Sequence, residues 1–281
     1  MYDTIVIGAG PGGLTTAIYL ARAGKKVLVA EKMPYGGQAG IIDNIVNYPG
    51  LISVTGFDLI DNMMKQASSF GAQFTYDEVV SVDTQEKQVT FLSGKTESAK
   101  SIVLATGCKA KSLGLAGEES LVGSGVSYCA TCDGGFFKGK TVAVVGKGDK
   151  AKESVIYLRD IAKKTYFITT GEGVYGAETI NGTVTALLGK PLSAVKIMQN
   201  GQESELALDG LFISVGYRPL THLLSGKVEM DEDGYIIARQ DLSTSADGIY
   251  AVGDIVKKSL RQIVTATADG AICAQTILRK K

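Results

Sequence analysis

A glycine-rich loop between a short strand and a helix is the feature that most restricts how this chain can fold. Residues 4–7 read TIVI, a β-branched run typical of a strand, and residues 14–24, LTTAIYLARAG, have the spacing of an amphipathic helix. Between them, Gly8, Gly10 and Gly13 fit GxGxxG. The glycines permit a tight turn, close approach of a pyrophosphate and close packing of helix on strand. The pattern predicts a dinucleotide site, with a purely structural glycine turn as the alternative.

An acidic residue follows the next strand, where the ribose of a dinucleotide would lie. Residues 26–30 predict a second strand that ends before Glu31, about 20 residues after the loop. A carboxylate there accepts hydrogen bonds from ribose hydroxyls, and the helix N-terminus directs its positive dipole end toward phosphate. A lone GxGxxG is a weak signal, but the ordered set of strand, loop, helix, strand and acid is a strong one.

The composition is that of a globular protein without a dominant charge. Of the 281 residues, 45% are hydrophobic and 21% are charged, which allows two cores of ordinary size. The 29 basic residues balance 29 acidic ones, so the overall charge favours neither nucleic acid nor an anionic membrane. The N-terminus enters a strand without a basic leader, and no apolar run reaches the length of a membrane span. We expect a cytoplasmic protein of two domains, with no nucleic-acid or membrane partner.

The chain has four cysteines, two of which form a CxxC pair. Cys129 and Cys132 lie in YCATCDGGFF, whereas Cys108 and Cys273 are isolated and are expected to be small buried residues. A structural zinc site needs four ligands, and the sequence offers no second CxxC and only one histidine. A lasting structural disulfide is uncommon in the cytosol. A redox-active thiol pair is favoured over both alternatives, and no metal site is predicted.

Three further motifs are spread along the chain. GGQ at 36–38 follows the second strand, IVLATG at 102–107 is an apolar strand that runs into small residues, and TSADGIYAVGDI contains Asp254. Asp254 is expected at the end of a strand, ahead of a helix with Arg261 and Gln262, where it can hold a polyol chain and the edge of a flavin ring. The arrangement resembles the flavoproteins with two dinucleotide-binding folds, in which ATG and GD motifs flank FAD. The predicted FAD contacts are Gly8, Gly10, Pro11, Gly13, Glu31, Gly36, Gly37, Gln38, Asn47, Ala105, Thr106, Gly107, Gly253, Asp254, Arg261, Gln262 and Ile263.

A second strand, glycine loop and helix come after the CxxC pair, in KTVAVVGKGDKAKESVIYLRDI. With YCATCDG just before it, this unit completes a resemblance to the low-molecular-weight thioredoxin reductases that covers the whole chain. The resemblance implies that Cys132 lies against the flavin, that Cys129 is the outer thiol that attacks thioredoxin, and that the protein is a homodimer. Asp133 is placed to supply or accept the proton of disulfide exchange, with a solvated turn or cap residue as the alternative.

The second glycine loop departs from the pattern of the nucleotide-dependent members of that family. The resemblance predicts GxGxxA or GxGxxS and, after the next strand, basic residues that bind the 2′-phosphate of NADPH. Here residues 146–151 read GKGDKA, in which the bulky Lys147 and Lys150 are expected to crowd the loop. The strand TYFITT is followed by GEGVYG, without arginine or histidine. Only about 40 residues separate Thr170 from the strand at Leu211, so further strands and a helix that wall the adenosine are expected to be partly lost.

A protein carrier is the simplest electron donor if no nicotinamide binds, because a flavin accepts single electrons. The pattern resembles the ferredoxin-dependent flavin thioredoxin reductases, which share the scaffold and lack the NADPH signatures. Between Lys138 and Lys164, eight basic and three acidic residues leave a surplus of five positive charges that suits an acidic carrier, although a solvated helix face is the alternative.

The predicted function is therefore electron transfer from reduced ferredoxin through FAD and the Cys129–Cys132 pair to thioredoxin. The first alternative is an NADH- or NADPH-dependent thioredoxin reductase with an atypical nucleotide site. The others are a thiol oxidase, which would deliver electrons to oxygen, and a non-enzymatic flavin redox sensor.

The predicted fold class is α/β, with two Rossmann-like three-layer domains on parallel sheets, the second inserted into the first and shortened. Residues 1–112 and 216–281 are expected to form the FAD-binding domain. Residues 113–215 are expected to form the inserted domain, a degenerate nucleotide-binding fold that carries the CxxC pair.

Overall fold

The computed structural model of the chain describes residues 1–33 and 36–280. The helices are α1 (Pro11–Arg22), α2 (Gly56–Ser69), α3 (Ala130–Asp133), α4 (Gly148–Arg159) and α5 (Ile263–Arg279). The strands are β1 (Tyr2–Ile7), β2 (Val27–Ala30), β3 (Gln73–Thr75), β4 (Val79–Asp83), β5 (Gln88–Phe91), β6 (Thr96–Leu104), β7 (Cys108–Ala110), β8 (Val126–Ser127), β9 (Thr141–Gly146), β10 (Lys164–Thr169), β11 (Glu178–Asn181), β12 (Thr183–Leu188), β13 (Ala194–Gln199), β14 (Gln202–Ala207), β15 (Gly210–Ser214), β16 (Tyr217–Pro219) and β17 (Ile249–Ala251). None of the helices within the described ranges is long and apolar enough to cross a membrane.

The chain forms two compact units. Unit 1 comprises Met1–Lys109 and Arg218–Lys281, and unit 2 comprises Ala110–Tyr217. Both combine strands with helices, and the predicted α/β class is confirmed. The chain passes between the units along the short strands β7 and β16.

Unit 1 is built on a seven-stranded mixed sheet. Strands β3, β2, β1 and β6 are parallel in that order, β17 also runs parallel to β6, and β5 and β4 extend the sheet antiparallel. The antiparallel extension departs from the predicted parallel sheet. Its cause lies in β6, whose last four residues are all buried while its first half is partly exposed. A continuous buried run suits a parallel sheet covered on both faces, and a half-exposed run suits an antiparallel edge.

The helices of unit 1 cover one face of this sheet. Apolar side chains of α1, α2 and α5 form a core with the sheet on that face, and a second core lies on the opposite face beneath β4, β5 and residues 223–256. The parallel strands β1, β2 and β6 end at one edge, where the connecting loops carry the predicted FAD motifs. Ligands of open α/β sheets bind at this edge, so the fold brings the motifs to a suitable place.

Unit 2 has a five-stranded parallel sheet in the order β11-β10-β9-β15-β8. The α4 side chains Ala151, Val155 and Leu158 recur at helical spacing and are buried against one face. The antiparallel sheet of β12, β13 and β14 packs on the other face. The connection from β10 to β11, residues 170–177, is fully described and contains no helix. This connection therefore lacks the helix of a usual parallel crossover, and the expected loss of part of the nucleotide-binding unit stays a prediction.

Candidate active site

The loop between β1 and α1 requires glycine for steric reasons. A Cβ on Gly13 would lie 2.1 Å from the backbone oxygen of Gly8, and a Cβ on Gly8 would lie 2.4 Å from that of Ala105. Gly8 also has a φ of +108°, which side chains other than glycine rarely adopt. Gly10 precedes α1 in extended conformation, with Pro11 as the first helical residue. The strand ends and the helix N-terminus are therefore close together, in the arrangement that binds phosphate.

Glu31 lies immediately after β2 and is tied to this loop. One carboxylate oxygen accepts a hydrogen bond from Ala9 N at 2.8 Å, and the other accepts one from Met33 N at 2.9 Å. Each oxygen retains a further lone pair, so the half-buried carboxylate can also accept hydroxyl groups of a ribose. Gly36 is close to the same loop, because a Cβ there would lie 2.9 Å from Ala9 O.

The ATG and GGQ segments meet near the end of β6. Ala105 N donates to Ile7 O at 2.8 Å, and the Gln38 side chain donates to Cys108 O at 2.6 Å. The Cys108 thiol donates to the backbone oxygen of Asp254 at 2.9 Å. Burial raises the pKa of Cys108 to about 11, so it is a neutral thiol at physiological pH. Cys108 and Cys273 are both buried, as predicted.

Asp254 gives the clearest test of whether this site fits FAD. Its Oδ1 atom is buried and has no hydrogen-bond partner among the described residues. Burial raises the pKa of the Asp254 carboxyl, and the positive charges of Lys258 and Arg261 act against that rise. Because buried polar atoms are normally paired, Asp254 fits a ligand that supplies a hydroxyl donor, as the ribityl chain of FAD does.

The turn that carries Asp254 is held by residues that the sequence motifs do not reveal. The Asp269 carboxylate of α5 accepts from Gly253 N at 2.8 Å and from the Lys258 ammonium. The only sequence signal for Asp269 is that it is the one acidic residue of α5. Arg261 Nε donates to Asp254 O at 3.1 Å, and its guanidinium lies 4.0 Å from the centre of the Tyr235 ring. Arg261 therefore supports the turn, and its predicted contact with FAD stays a prediction.

The predicted helix after Asp254 begins later than expected. Arg261 precedes α5, Gln262 is its N-cap residue, and Ile263 is its first residue. The Asn47 side chain donates to Gln262 Oε1 at 3.1 Å, which links the loop before α2 to the start of α5. All of the predicted FAD contacts lie in unit 1. Hydrogen bonds between the segments of this site involve Glu31, Gln38, Asn47, Asp254 and Gln262.

The cysteine pair lies in unit 2 and forms a disulfide. Cys129 is the N-cap residue of α3, and its sulfur is 2.13 Å from that of Cys132. Cys132 N donates to Cys129 Sγ at 3.2 Å, and the Thr131 hydroxyl lies 3.5 Å from the same sulfur. Donors at these positions stabilise a thiolate on Cys129 after reduction. In the part of the chain that the structure describes, no group of three His, Cys, Asp or Glu residues is arranged to hold a metal ion.

Asp133 is next to the disulfide and is partly buried. Its carboxylate accepts a hydrogen bond from the Ser127 hydroxyl at 2.6 Å. Burial raises the pKa of Asp133, and the Ser127 hydrogen bond acts in the opposite direction. A carboxyl group with a raised pKa, on the residue next to Cys132, is suited to proton exchange, and the predicted catalytic role of Asp133 stays a prediction.

Tyr128 anchors the segment that leads into Cys129 through partners that the sequence motifs do not reveal. Its hydroxyl donates to the buried Glu118 carboxylate, and burial raises the pKa of this phenol. Glu118 also accepts from the backbone nitrogens of Leu113 and Leu115. The Tyr217 hydroxyl donates to Tyr128 O at 2.6 Å. No local motif signals the contacts of Tyr128, because Glu118 and Tyr217 both lie outside the CxxC motif.

The chain is similar in sequence and fold to known disulfide reductases. A profile of the family "Pyridine nucleotide-disulphide oxidoreductase" matches residues 2–270. A thioredoxin reductase of Listeria innocua is 40% identical over 294 residues, which cover 98% of this chain and 92% of that protein. One of Treponema pallidum is 40% identical over 292 residues, covering 97% and 95%. The crystal structure of thioredoxin reductase from Streptococcus pyogenes superposes with a TM-score of 0.92 at 35% identity, covering 99% of this chain and 97% of that one.

Fold and site together define a flavoprotein disulfide reductase with FAD as its cofactor. The chain belongs to the pyridine nucleotide-disulphide oxidoreductase family, within its thioredoxin reductases of low molecular weight.

Proposed function

We propose that the protein is a cytoplasmic thioredoxin reductase that takes its electrons from reduced ferredoxin, with FAD bound by unit 1 and the redox pair carried by unit 2. FAD supplies a carrier that exchanges electrons singly or in pairs. Thioredoxin is the substrate named for the relatives. The choice of ferredoxin as electron donor rests on the structure of segment 170–177, which connects β10 to β11 without a helix.

Segment 170–177 lacks the groups that a site for NADPH needs. A parallel crossover usually spans a dozen or more residues and contains a helix, and neither condition is met within this fully described segment. It contains Glu172 and no basic residue. Lys152 of α4 pairs with Glu172 at 3.0 Å, and Arg159 donates to Tyr175 O at 2.7 Å. The nearby cations are therefore held by the segment, and the acid would repel a 2′-phosphate.

The N-terminus of α4 gives weaker support. Asp149 lies in the first turn, where a carboxylate competes with a phosphate for the positive end of the helix. Lys147 and Lys150 are both exposed, and Lys150 belongs to the first turn of α4 rather than to the loop. The expectation that Lys150 lies in the loop is therefore wrong, whereas the expectation that Lys147 crowds the loop stays a prediction.

The basic surface of unit 2 is smaller than its sequence indicates. Lys152 pairs with Glu172 and Lys164 with Glu178, and both acids lie outside residues 138–164. Counting these acids reduces the surplus from five positive charges to three. A surplus of three still favours an acidic carrier, although salt will screen it strongly.

NADH is the second candidate donor, because two observations favour it. The loop keeps the outline of Gly146, Gly148 and Ala151, and Glu172 follows the second strand of the unit, as an acid that binds an NAD ribose does. The family description also names a pyridine nucleotide. The two donors are distinguished by direct reduction of the bound flavin.

The test is an anaerobic stopped-flow experiment on the holoprotein. We expect reduced ferredoxin to bleach the FAD absorbance and to support repeated turnover of thioredoxin, while NADPH and NADH at about 100 μM, in the usual range of KM values, leave the flavin oxidised for many seconds. Rapid bleaching by either nucleotide contradicts the ferredoxin proposal and supports the nicotinamide alternative. Oxygen consumption with dithiols, measured in parallel, reports any thiol oxidase activity.

We assign the outer, nucleophilic role to Cys129 and the proton-transfer role to Asp133. The Cys129 thiolate bonds to one thioredoxin sulfur while the thioredoxin disulfide breaks, and the departing sulfur keeps the electron pair. Cys132 then attacks Cys129 Sγ, which restores the Cys129–Cys132 disulfide and releases the second thioredoxin sulfur. Two electrons pass to thioredoxin, and the two protons of the cysteine thiols balance those taken up by its sulfurs. Asp133 accepts and returns one of them.

The cysteine roles predict different spectra for two serine variants. Cys129→Ser leaves Cys132 as a thiolate that can contact oxidised FAD, so we expect a long-wavelength absorbance band near neutral pH. Cys132→Ser is expected to lack the band. The reverse result exchanges the two roles, and a band in neither variant contradicts a flavin-facing cysteine.

A homodimer belongs to the same proposal. Exposed apolar side chains on α1, α2 and α5 support it, including Tyr19, Phe57, Val264 and Ile272. Light scattering should give twice the chain mass of 29.5 kDa, and a monomer at micromolar concentration would contradict this part of the proposal.

A further inference from the structure

The buried hydroxyl of Ser127 contacts both Asp133, the proposed proton-transfer group, and the backbone of Cys129, the proposed nucleophile. The residue is 3% exposed and is the last residue of β8. Its Oγ lies 2.6 Å from Asp133 Oδ2, 3.0 Å from Cys129 N and 3.3 Å from Cys129 O. The nitrogen can only donate and the backbone oxygen can only accept, so two of the three partners have fixed roles.

The third partner, Asp133, changes its role when it takes up a proton. As a carboxylate it is an acceptor only, and the Ser127 hydroxyl donates to it at the shortest of the three distances. As a neutral acid, Asp133 can donate to Ser127 Oγ, and the serine proton can turn to Cys129 O. The hydroxyl therefore has a partner in both protonation states of Asp133.

We propose that Ser127 is a positioning residue for proton transfer by Asp133. The Ser127 hydroxyl donates to the Asp133 carboxylate and accepts from the protonated acid, so the direction of this hydrogen bond reverses as Asp133 gains and loses a proton. The inference rests on the proposed role of Asp133 and goes beyond it by naming the group that makes both states accessible. No covalent bond to Ser127 forms or breaks. The proton that Asp133 exchanges belongs to the thiol chemistry of Cys129 and Cys132.

The surroundings of Asp133 contain few other groups that titrate. Within the described residues, burial and the Ser127 hydrogen bond are the influences on the pKa of Asp133, and no charged side chain adds to them. The thiols of reduced Cys129 and Cys132 are close in sequence, and from α4 the Tyr157 ring packs where a Cβ on Gly134 would lie. Removal of the hydroxyl leaves burial unopposed, so the pKa of Asp133 should rise.

The experiment measures reduction of thioredoxin by chemically pre-reduced holoprotein, mixed anaerobically across a range of pH. This half-reaction does not use the electron donor, so its result is independent of the ferredoxin proposal. Asp133 acts in it as a base, and a higher pKa reduces the carboxylate fraction at low pH. We expect Ser127→Ala to move the acid limb of the rate upward by about one pH unit, since a hydrogen bond to a charged group contributes about tenfold.

Four further variants make the result specific. Ser127→Thr should restore the wild-type limb, whereas Ser127→Val, which has the shape of threonine without the hydroxyl, should behave as Ser127→Ala does. The Thr and Val pair also replaces Ser127→Ala if that variant does not fold. Ser120→Ala removes an exposed hydroxyl bonded to Gly117 O and is the matched control. Asp133→Asn should remove the limb.

Each outcome decides a different statement. If Asp133→Asn removes the acid limb of the pH–rate profile but Ser127→Ala does not shift it, only the inference about Ser127 is overturned. If Ser127→Ala lowers the rate equally at every pH, the role of Ser127 is structural and the inference is overturned. The same conclusion follows if Ser127→Val and Ser127→Thr have the same pH profile. A limb that survives in Asp133→Asn overturns the role of Asp133, and the Ser127 inference with it.

Discussion

The two glycine loops of this protein have the same outline and different surroundings. In unit 1, Glu31 comes after the second strand and accepts two backbone hydrogen bonds at 2.8 and 2.9 Å. In unit 2, Glu172 comes after the second strand with a side chain that is 89% exposed and paired to Lys152. The next parallel strand is reached through helix α2 in unit 1, but through residues 170–177 without a helix in unit 2.

The difference shows what a glycine motif does and does not specify. The glycines permit close backbone packing in both units. A Cβ at Gly13 would lie 2.1 Å from Gly8 O within the βα turn, and a Cβ at Gly146 would lie 2.2 Å from Ser214 O at the end of the neighbouring strand β15. We propose that the ligand depends on the segment after the second strand, where unit 1 has a fixed carboxylate and residues 170–177 of unit 2 contain no crossover helix. Variants at matched positions of the two loops test this distinction.

The largest effect is expected at the third position of each motif. In Gly13→Ala, the added methyl would meet Gly8 O at 2.1 Å, and neither backbone can move without separating α1 from β1. We expect a loss of about 3 kcal/mol or more in the free energy of unfolding, together with loss of FAD. Ala151→Gly, the matched change in unit 2, should cost about 1 kcal/mol and leave FAD bound. Urea denaturation and the FAD-to-protein ratio measure both, and a yellow, stable Gly13→Ala protein would contradict the site.

The next effect concerns the two acids. Glu31→Lys removes the acceptor tied to Ala9 and sets a positive charge beside the N-terminus of α1. Two charge-assisted hydrogen bonds from the ribose hydroxyls of FAD to this carboxylate contribute about 3 kcal/mol or more to binding. Their loss should raise the dissociation constant for FAD at least about a hundredfold. Glu172→Lys should not change it. Titration of the apoproteins with FAD measures the constants, and wild-type affinity in Glu31→Lys would show that this acid has no part in binding.

A smaller effect is expected from the buried carboxyl of unit 1. Burial raises the pKa of Asp254 above its usual value of 3.8, so folded apoprotein holds this proton more tightly than unfolded chain does. The contribution to stability is therefore complete below the usual pKa and is lost as pH rises through the folded one. In urea titrations between about pH 4 and pH 7, Asp254→Asn should reduce the decline in stability with pH. Asp149→Asn, which removes an exposed carboxylate of the other loop, is the control for charge, and equal slopes in wild type and Asp254→Asn would disprove the effect.

The sequence was sufficient for features that depend on local chemistry. Gly13 is required by packing within one βα turn, and the spacing of Cys129 and Cys132 is enough to predict that they can pair, because both constraints act over a few residues. The partners of Gly253 and Tyr128 were missed because they lie outside the local motifs. Asp269 reaches Gly253 from the next helix, and Glu118 reaches Tyr128 across ten residues.

The antiparallel extension of the unit 1 sheet was missed for a related reason. The pattern at 102–107 predicts one apolar strand, although β6 starts at Thr96 in a half-exposed stretch whose pairing with β5 depends on tertiary packing. The exposure of Lys147 and Lys150 was missed because the start of α4 at Gly148 determines it, and a lysine in a motif does not reveal its direction. A motif thus predicts backbone geometry better than it predicts the positions of long side chains.

The smallest effect expected is electrostatic, and it tests whether the second loop has exchanged a nucleotide for a protein partner. The double variant Lys147→Gln/Lys150→Gln removes two exposed charges at the N-terminus of α4. At low ionic strength we expect flavin bleaching by reduced ferredoxin to slow about three- to tenfold, and the difference from wild type should vanish as salt approaches about 0.5 M. Lys25→Gln/Lys190→Gln removes the same charge from exposed positions elsewhere and should have little effect. If both double variants retain the wild-type rate and salt dependence, ferredoxin does not dock beside this loop, and the lysines are an ordinary solvated helix end.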